Sequence, residues 1–178
     1  GAGSAGTMMM SHLHNKLPND WKITVVDKDK VHYYQPGFLF MPFDTYTEEQ
    51  VQKPKRQFVP SNVNYIEQGI DKIVADENKV LLENGQTLNY DLLIVATGCK
   101  IAPQETEGML GSGWQKNVFD FYTFEGSRNL RNFLRQWKGG KMVVHITEMP
   151  IKCPVAPLEF AFLADSYFLK KGMRNKVE

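Results

Sequence analysis

The first six residues, Gly1-Ala2-Gly3-Ser4-Ala5-Gly6, have the spacing GxGxxG, and Asp27 follows Gly6 by 21 positions. That spacing suits the pyrophosphate and ribose of a dinucleotide. Gly1 would make the tight turn, Gly3 would let the backbone approach a pyrophosphate, and Gly6 would let the following helix pack closely. The helix N-terminus supplies free N–H groups and partial positive charge for phosphate. Asp27 would accept hydrogen bonds from ribose hydroxyls. A second candidate for chemistry is Cys153, which lies beside Lys152 in a proline-containing loop just before an expected helix. A neighbouring cation and a helix N-terminus both favour a thiolate. Cys99 directly follows Gly98 and reads as an incidental small residue. His12, His14, His32 and His145 show no metal-ligand spacing with acids or cysteines, and no metal is expected.

The elements that must position these groups follow from periodicity and punctuation. Thr7–Leu17 reads as a helix with Met8, Met9, Leu13 and Leu17 largely on one side, the Met8-Met9-Met10 run being packing. Pro18-Asn19-Asp20 is a turn. Trp21–Asp27 is β-branched and alternating, which predicts a buried strand. Tyr34–Asp44, rich in aromatics with Pro and Gly, reads as an irregular, partly buried loop. Val63–Ile66, Ile70–Ala75, Lys79–Glu83 and Thr87–Tyr90 read as short strands, with Asn84-Gly85 as a hairpin turn. Leu92–Ala96 is wholly apolar, as expected at the centre of a parallel sheet, and Thr97-Gly98 ends it. Phe124–Trp137 predicts a helix with Leu130, Phe133, Leu134 and Trp137 on one face, stopped by Gly139-Gly140. Lys141–Ile146 predicts a strand, and Pro157–Lys171 a helix capped by Gly172. The order predicts an α/β protein. Weak similarity between the opening unit and the unit from Lys141 suggests two related lobes.

Composition narrows the class. The 178 residues are 42% hydrophobic and 23% charged with a net charge of +1, so no strong field points to nucleic acid or an acidic membrane. Lys53, Lys55 and Arg56 read as a solvated basic loop. No segment approaches the roughly 20 apolar residues that span a bilayer, and the start lacks the basic and apolar stretches of a signal peptide. Two cysteines do not make a disulfide framework. The fingerprint begins at residue one without its feeding strand, and a further strand is expected after Glu178, so both ends read as cut.

Asp91-Leu92-Leu93-Ile94-Val95-Ala96-Thr97-Gly98, taken with the opening fingerprint, resembles the FAD-dependent pyridine nucleotide–disulfide reductase superfamily over essentially the whole chain. The resemblance implies a Rossmann-like FAD-binding domain with a small antiparallel β insert over residues 1–110. The start of a second Rossmann-like lobe would follow over 111–178. No CxxC or CxxxxC pair is present. The segment Thr147–Glu159, where users of nicotinamide dinucleotides carry a second Gly-rich loop, has no Gly and three prolines. Proline has no N–H to offer a phosphate, so this lobe is not expected to bind NADH.

Cys153-Pro154-Val155-Ala156-Pro157-Leu158-Glu159 instead resembles sulfide:quinone oxidoreductases and the flavoprotein subunit of flavocytochrome c sulfide dehydrogenases. Tyr33-Tyr34-Gln35-Pro36-Gly37 and Phe119-Asp120-Phe121-Tyr122 look like the same group. The resemblance implies that Cys153 is redox-active and Glu159 an acid–base group. It implies that Gly1, Gly3, Ser4, Ala5, Gly6, Asp27, Lys28, Gln35, Ile70, Ala96, Thr97 and Gly98 hold FAD. Sulfide would be the substrate and a quinone, or a cytochrome, the acceptor. Peripheral contact with a bacterial or archaeal cytoplasmic membrane, through sequence beyond Glu178, and a homo-oligomer are also implied. The chain departs from the group in lacking a cysteine near residues 120–125. An NADH:quinone dehydrogenase of the same fold, or a non-catalytic FAD-fold module, are the alternative readings.

Overall fold

The computed structural model describes residues 1–178, which divide into two compact units. The first unit comprises Gly1–Tyr33 and Gln52–Lys100. Helix α1 runs Ser4–Lys16 directly after Gly3. Its burial follows Gly6 and Met10, four residues apart on one helical face. The expected Met8-Met9 packing is therefore corrected: they are 65% and 40% exposed, because their side chains leave the helix away from the Gly6–Met10 face.

Strand β1 (Thr24–Val26) pairs in parallel with β4 (Asn64–Ile66), Val25 opposite Tyr65. The ladder continues one residue further, where Asp27 N–H donates to the Ile66 carbonyl at 3.1 Å. This last bond fixes the backbone of the acidic residue at the strand end. Strand β2 (Val31–Tyr33) pairs antiparallel with β3 (Gln52–Pro54), a pair that sequence periodicity did not reveal because each strand has only three residues. Strands β5 (Ile70–Val74), β6 (Lys79–Leu82) and β7 (Thr87–Asn89) form the antiparallel insert. Asn84-Gly85 turns β6 into β7, with Gly85 at φ 85° and the Asn84 side chain accepting from Gln86 N–H at 3.0 Å.

Two expected strands are corrected. Leu92–Ala96 has no ladder partner, and Leu92 and Val95 are 66% and 63% exposed. Lys141–Ile146 is likewise unpaired, apart from Gly140 bridging Val177 and Met142 N–H donating to the Glu178 carbonyl at 2.8 Å. A strand exists only through its neighbours' hydrogen bonds, and an apolar sequence alone does not supply them.

The second unit comprises Tyr34–Val51 and Ile101–Glu178. Tyr34–Asp44, expected to be irregular, holds helix α2 (Gly37–Phe40) and a 3-10 turn (Met41–Phe43). Phe38, Leu39, Met41 and Phe43 are buried, so the aromatic run is core, and burying its backbone requires the hydrogen bonds of a helical turn. A short helix α3 follows (Glu48–Val51). Helix α4 (Phe124–Gln136) starts at Thr123, whose hydroxyl accepts from Gly126 N–H at 3.0 Å. Asp120 in turn accepts from the N–H groups of Tyr122 and Thr123. Helix α5 (Ala156–Lys170) has Pro157 in its first turn, where the missing N–H costs nothing. Leu130 and Leu134 of α4 join Phe160, Ala164 and Phe168 of α5 with Leu39 and Phe43 in one core. Phe121 stacks on Phe160 with ring centres 4.7 Å apart, and Phe43 meets the same ring at 5.0 Å.

Candidate functional site

The glycine loop has the geometry that its spacing implies. A Cβ on Gly6 would fall onto the Gly1 carbonyl, and a Cβ on Gly1 onto the carbonyl of Ala96. The first turn of α1 therefore packs directly on Gly1, and Gly1 on the Ala96-Thr97 backbone, and only glycine permits these approaches. Gly3 is different: nothing lies within 4 Å of the position a Cβ would take. The helix has no side-chain cap at Gly3, and Ser4, Ala5 and Gly6 N–H have no hydrogen-bond partner. Three unpartnered donors at a helix N-terminus, next to the open position at Gly3, make a cradle for an anion. This arrangement fits the pyrophosphate of FAD.

Asp27 lies beside this cradle. Its Oδ2 accepts from Ala2 N–H at 2.5 Å, and its Oδ1 accepts from Asp29 N–H at 2.8 Å and from Lys55 Nζ at 2.7 Å. Its side chain keeps 11% of its surface and that of Lys55 7%. Burial pushes the Asp27 carboxyl up, but the Lys55 ammonium, the two N–H donors and the Lys55 charge outweigh it and hold the group below the usual carboxylate range. Lys55 corrects the reading of residues 53–56 as a solvated loop. Its side chain turns inward to the acid, while Arg56 stays outside on Glu67 at 3.0 Å. Nothing local in the sequence marks Lys55. Only the pairing of β2 with β3, which brings residue 55 beside residue 27, exposes its role.

The other expected cofactor contacts are distributed as follows. Lys28 is exposed beside Asp27, and Ile70 opens β5 opposite Leu82, half-buried. Ala96 is half-buried against the glycine loop, Thr97 is exposed, and Gly98 adopts φ 73°. Cys99, next in the chain, is an exposed free thiol.

The remaining site residues belong to the second unit. Cys153 is a free, exposed thiol with φ 53°, a left-handed conformation unusual outside glycine. Its carbonyl accepts from Ala156 N–H at 3.0 Å and from the Tyr122 hydroxyl at 3.4 Å, so the cysteine is held at the entrance of α5. Burial and the neighbouring Cys153 raise the Tyr122 phenol above its ordinary value, which keeps it a donor. The Lys152 ammonium donates to Gln35 Oε1, bringing together two residues singled out separately in the sequence. Glu159 lies exposed in the first turn of α5 without an ion-pair partner. No three His, Cys, Asp or Glu side chains are grouped to hold a metal ion. No helix is long and apolar enough to cross a membrane.

A glycine cradle at a helix N-terminus, an acid at the end of the next strand and an antiparallel insert define a protein of the Rossmann-like dinucleotide-binding class. Residues 1–144 match the pyridine nucleotide-disulphide oxidoreductase family, and the chain belongs to that family, whose members are FAD-dependent enzymes. A mitochondrial sulfide:quinone oxidoreductase of Dictyostelium discoideum is 26% identical over 99% of this chain and 39% of its own length. The sulfide-quinone reductase of Aquifex aeolicus is 26% identical over 99% of the chain and 40% of its own length. The crystal structure of the Aquifex sulfide:quinone oxidoreductase superposes with a TM-score of 0.76 at 24% identity, covering 98% of this chain and 40% of that one. The chain thus spans about two fifths of the length of these relatives.

Proposed function

We propose that the protein carrying this chain oxidises sulfide through Cys153 and FAD, with a quinone as electron acceptor. The observation that carries the reading is Cys153 itself, a free thiol held in a left-handed turn at the entrance of α5, six residues before Glu159. Likeness to proteins named sulfide:quinone oxidoreductases supports the same substrate class.

In this proposal Cys153 is paired in a disulfide with a cysteine outside these 178 residues. Hydrosulfide attacks one sulfur, forming a persulfide and breaking the S–S bond to free one thiolate, so the two electrons given up by sulfide leave through the cysteine pair. FAD, when bound, would supply the two-electron chemistry that links the cysteine pair to a quinone, whose reduction to quinol takes up two protons. Ser4, Ala5 and Gly6 N–H would hold the pyrophosphate, and Asp27 would orient a ribose hydroxyl. Within the first unit Lys28, Ile70, Ala96, Thr97 and Gly98 would supply further contacts, and Gln35 of the second unit is a further proposed contact. Lys152 ties the cysteine loop to Gln35, and Glu159 handles the proton released as hydrosulfide attacks. In this reading the FAD domain is drawn from residues 1–110 and the second lobe from 111–178, with Tyr34–Val51 packing in the second compact unit. The relatives' names include both mitochondrial and bacterial proteins, and the proposal places the protein at a membrane surface where quinone is available.

The test is anaerobic. Sulfide added to the purified flavoprotein should bleach its flavin absorbance, and a quinone analogue should restore it. Bleaching by NADH and not by sulfide would move the protein to the dehydrogenase reading.

A further inference from the structure

The Asp27–Lys55 pair carries a consequence for cofactor binding, resting on the proposal that this loop holds FAD. An ionised carboxylate has about four lone-pair sites. Three are occupied here: two on Oδ1, by Asp29 N–H and Lys55 Nζ, and one on Oδ2, by Ala2 N–H. One acceptor site remains, on the Oδ2 atom that also holds the glycine loop through Ala2. Lys55 is itself fixed from both ends, since its N–H donates to the Lys30 carbonyl at 2.9 Å while its ammonium meets Asp27.

We infer that Lys55 is a positioning residue for the cofactor: its ammonium on Oδ1 holds the Asp27 carboxylate in one orientation, so that a single ribose hydroxyl of the adenosine half can donate to Oδ2. Lys55 does not touch the ligand in this role. It acts through Asp27, and its function is distinct from that of the phosphate cradle at Ser4–Gly6. The other charged or titratable side chains facing Asp27 are Asp29 and Tyr65 on β4, while His32 on β2 approaches the Ala2 carbonyl at 3.4 Å. Lys55 is the cation in direct contact with the carboxylate. Without it, burial acts on Asp27 against fewer opposing donors, and the carboxyl titrates at higher pH.

The experiment is a double-mutant cycle on FAD affinity in the full-length apoprotein, read by quenching of flavin fluorescence. Lys55→Met keeps side-chain length and removes the charge; Asp27→Asn removes the acid. Each single substitution should weaken FAD binding about tenfold, and the double variant should be no weaker than the poorer single, because both remove one interaction. As pH is lowered, Lys55→Met should begin to lose affinity at a higher pH than wild type does. If the Met variant fails to fold, Lys55→Gln, which keeps a neutral donor, gives the same cycle. Normal FAD affinity with the wild-type pH profile in the Lys55 variants, alongside a loss in Asp27→Asn, overturns the inference and leaves the FAD site standing. Losses that multiply in the double variant also overturn it, since Lys55 would then act independently of Asp27. Normal affinity in Asp27→Asn would instead remove the ribose role of Asp27 on which the inference rests.

Discussion

Gly6 and Gly1 touch so closely that a single methyl on Gly6 would occupy the Gly1 carbonyl, yet Gly3, midway between them, faces open space. One motif therefore contains two kinds of glycine, one packed against the fold and one open to solvent. Gly3 has φ −73°, which alanine adopts freely. Gly3→Ala should change unfolding free energy by less than about 0.5 kcal/mol while sharply reducing FAD affinity, because its methyl enters the phosphate space. Gly6→Ala should lower stability itself by about 1–3 kcal/mol through overpacking. Urea unfolding of the apoprotein and flavin titration separate the two, and normal FAD binding by Gly3→Ala would remove the pyrophosphate from this loop.

Asp27 sets an acid limit on the first unit. Its carboxyl is held below the ordinary value of about 3.9, so its contribution to stability is complete above that value and is lost as pH falls through the lowered folded value. Urea midpoints measured from about pH 6 down to pH 2 should decline more steeply below about pH 4 in wild type than in Asp27→Asn, which has no proton to take up there. Parallel curves for the two proteins would mean that the carboxyl is not held low by Lys55 and the backbone donors.

Much of this site was legible because its signals are local. Glycine spacing, the acid at a strand end, Asn84-Gly85 and the Ala-Thr-Gly turn each encode backbone geometry in a few adjacent residues. The helices Phe124–Gln136 and Ala156–Lys170 are readable from apolar spacing and end signals such as Pro157 and Gly139-Gly140, whereas the apolar spacing of Met8 and Met9 marks the wrong face of Ser4–Lys16. What escaped was non-local. Lys55 looks like its basic neighbours until β2 and β3 pair. The aromatic stretch from Tyr34 resembled a loop because α2 spans only Gly37–Phe40, too short for a helical period to show. Leu92–Ala96 and Lys141–Ile146 carry strand-forming residues, but pairing depends on neighbours that their own sequence does not specify.

Arg131 and Glu48 provide a test in the second unit. Arg131 keeps 9% of its side-chain surface and Glu48 27%, and the guanidinium donates to the carboxylate. Arg131 Nε has no partner. Glu48→Gln leaves a buried guanidinium without its counter-charge and should cost about 2 kcal/mol, below the roughly 3–5 of a fully buried pair because Glu48 reaches water. Arg131→Met removes the buried charge together with its unpaired Nε and should lie within about 1 kcal/mol of wild type. Chemical denaturation of both variants checks the order, and an Arg131→Met loss larger than that of Glu48→Gln would reverse it.

Cys153→Ser separates chemistry from folding at the entrance of α5. Serine is close to cysteine in size and incurs the same left-handed backbone cost at φ 53°, so the turn itself is not penalised. The carbonyl of residue 153 keeps its donors, Ala156 N–H and the Tyr122 hydroxyl. Because the side chain is exposed, stability should change by less than about 0.5 kcal/mol. FAD content should be unchanged. Sulfide-dependent flavin reduction should fall at least about a thousandfold, since a serine hydroxyl can neither form a disulfide nor carry sulfane sulfur. Cys99→Ser should leave that rate within about twofold, because the Cys99 side chain is exposed and serine is close to it in size. Stopped-flow absorbance of the anaerobic flavoprotein reads all three rates. A Cys153→Ser protein that is still bleached by sulfide at the wild-type rate would make this cysteine a surface residue without a part in the reaction, and the electrons would have to reach the flavin by another route.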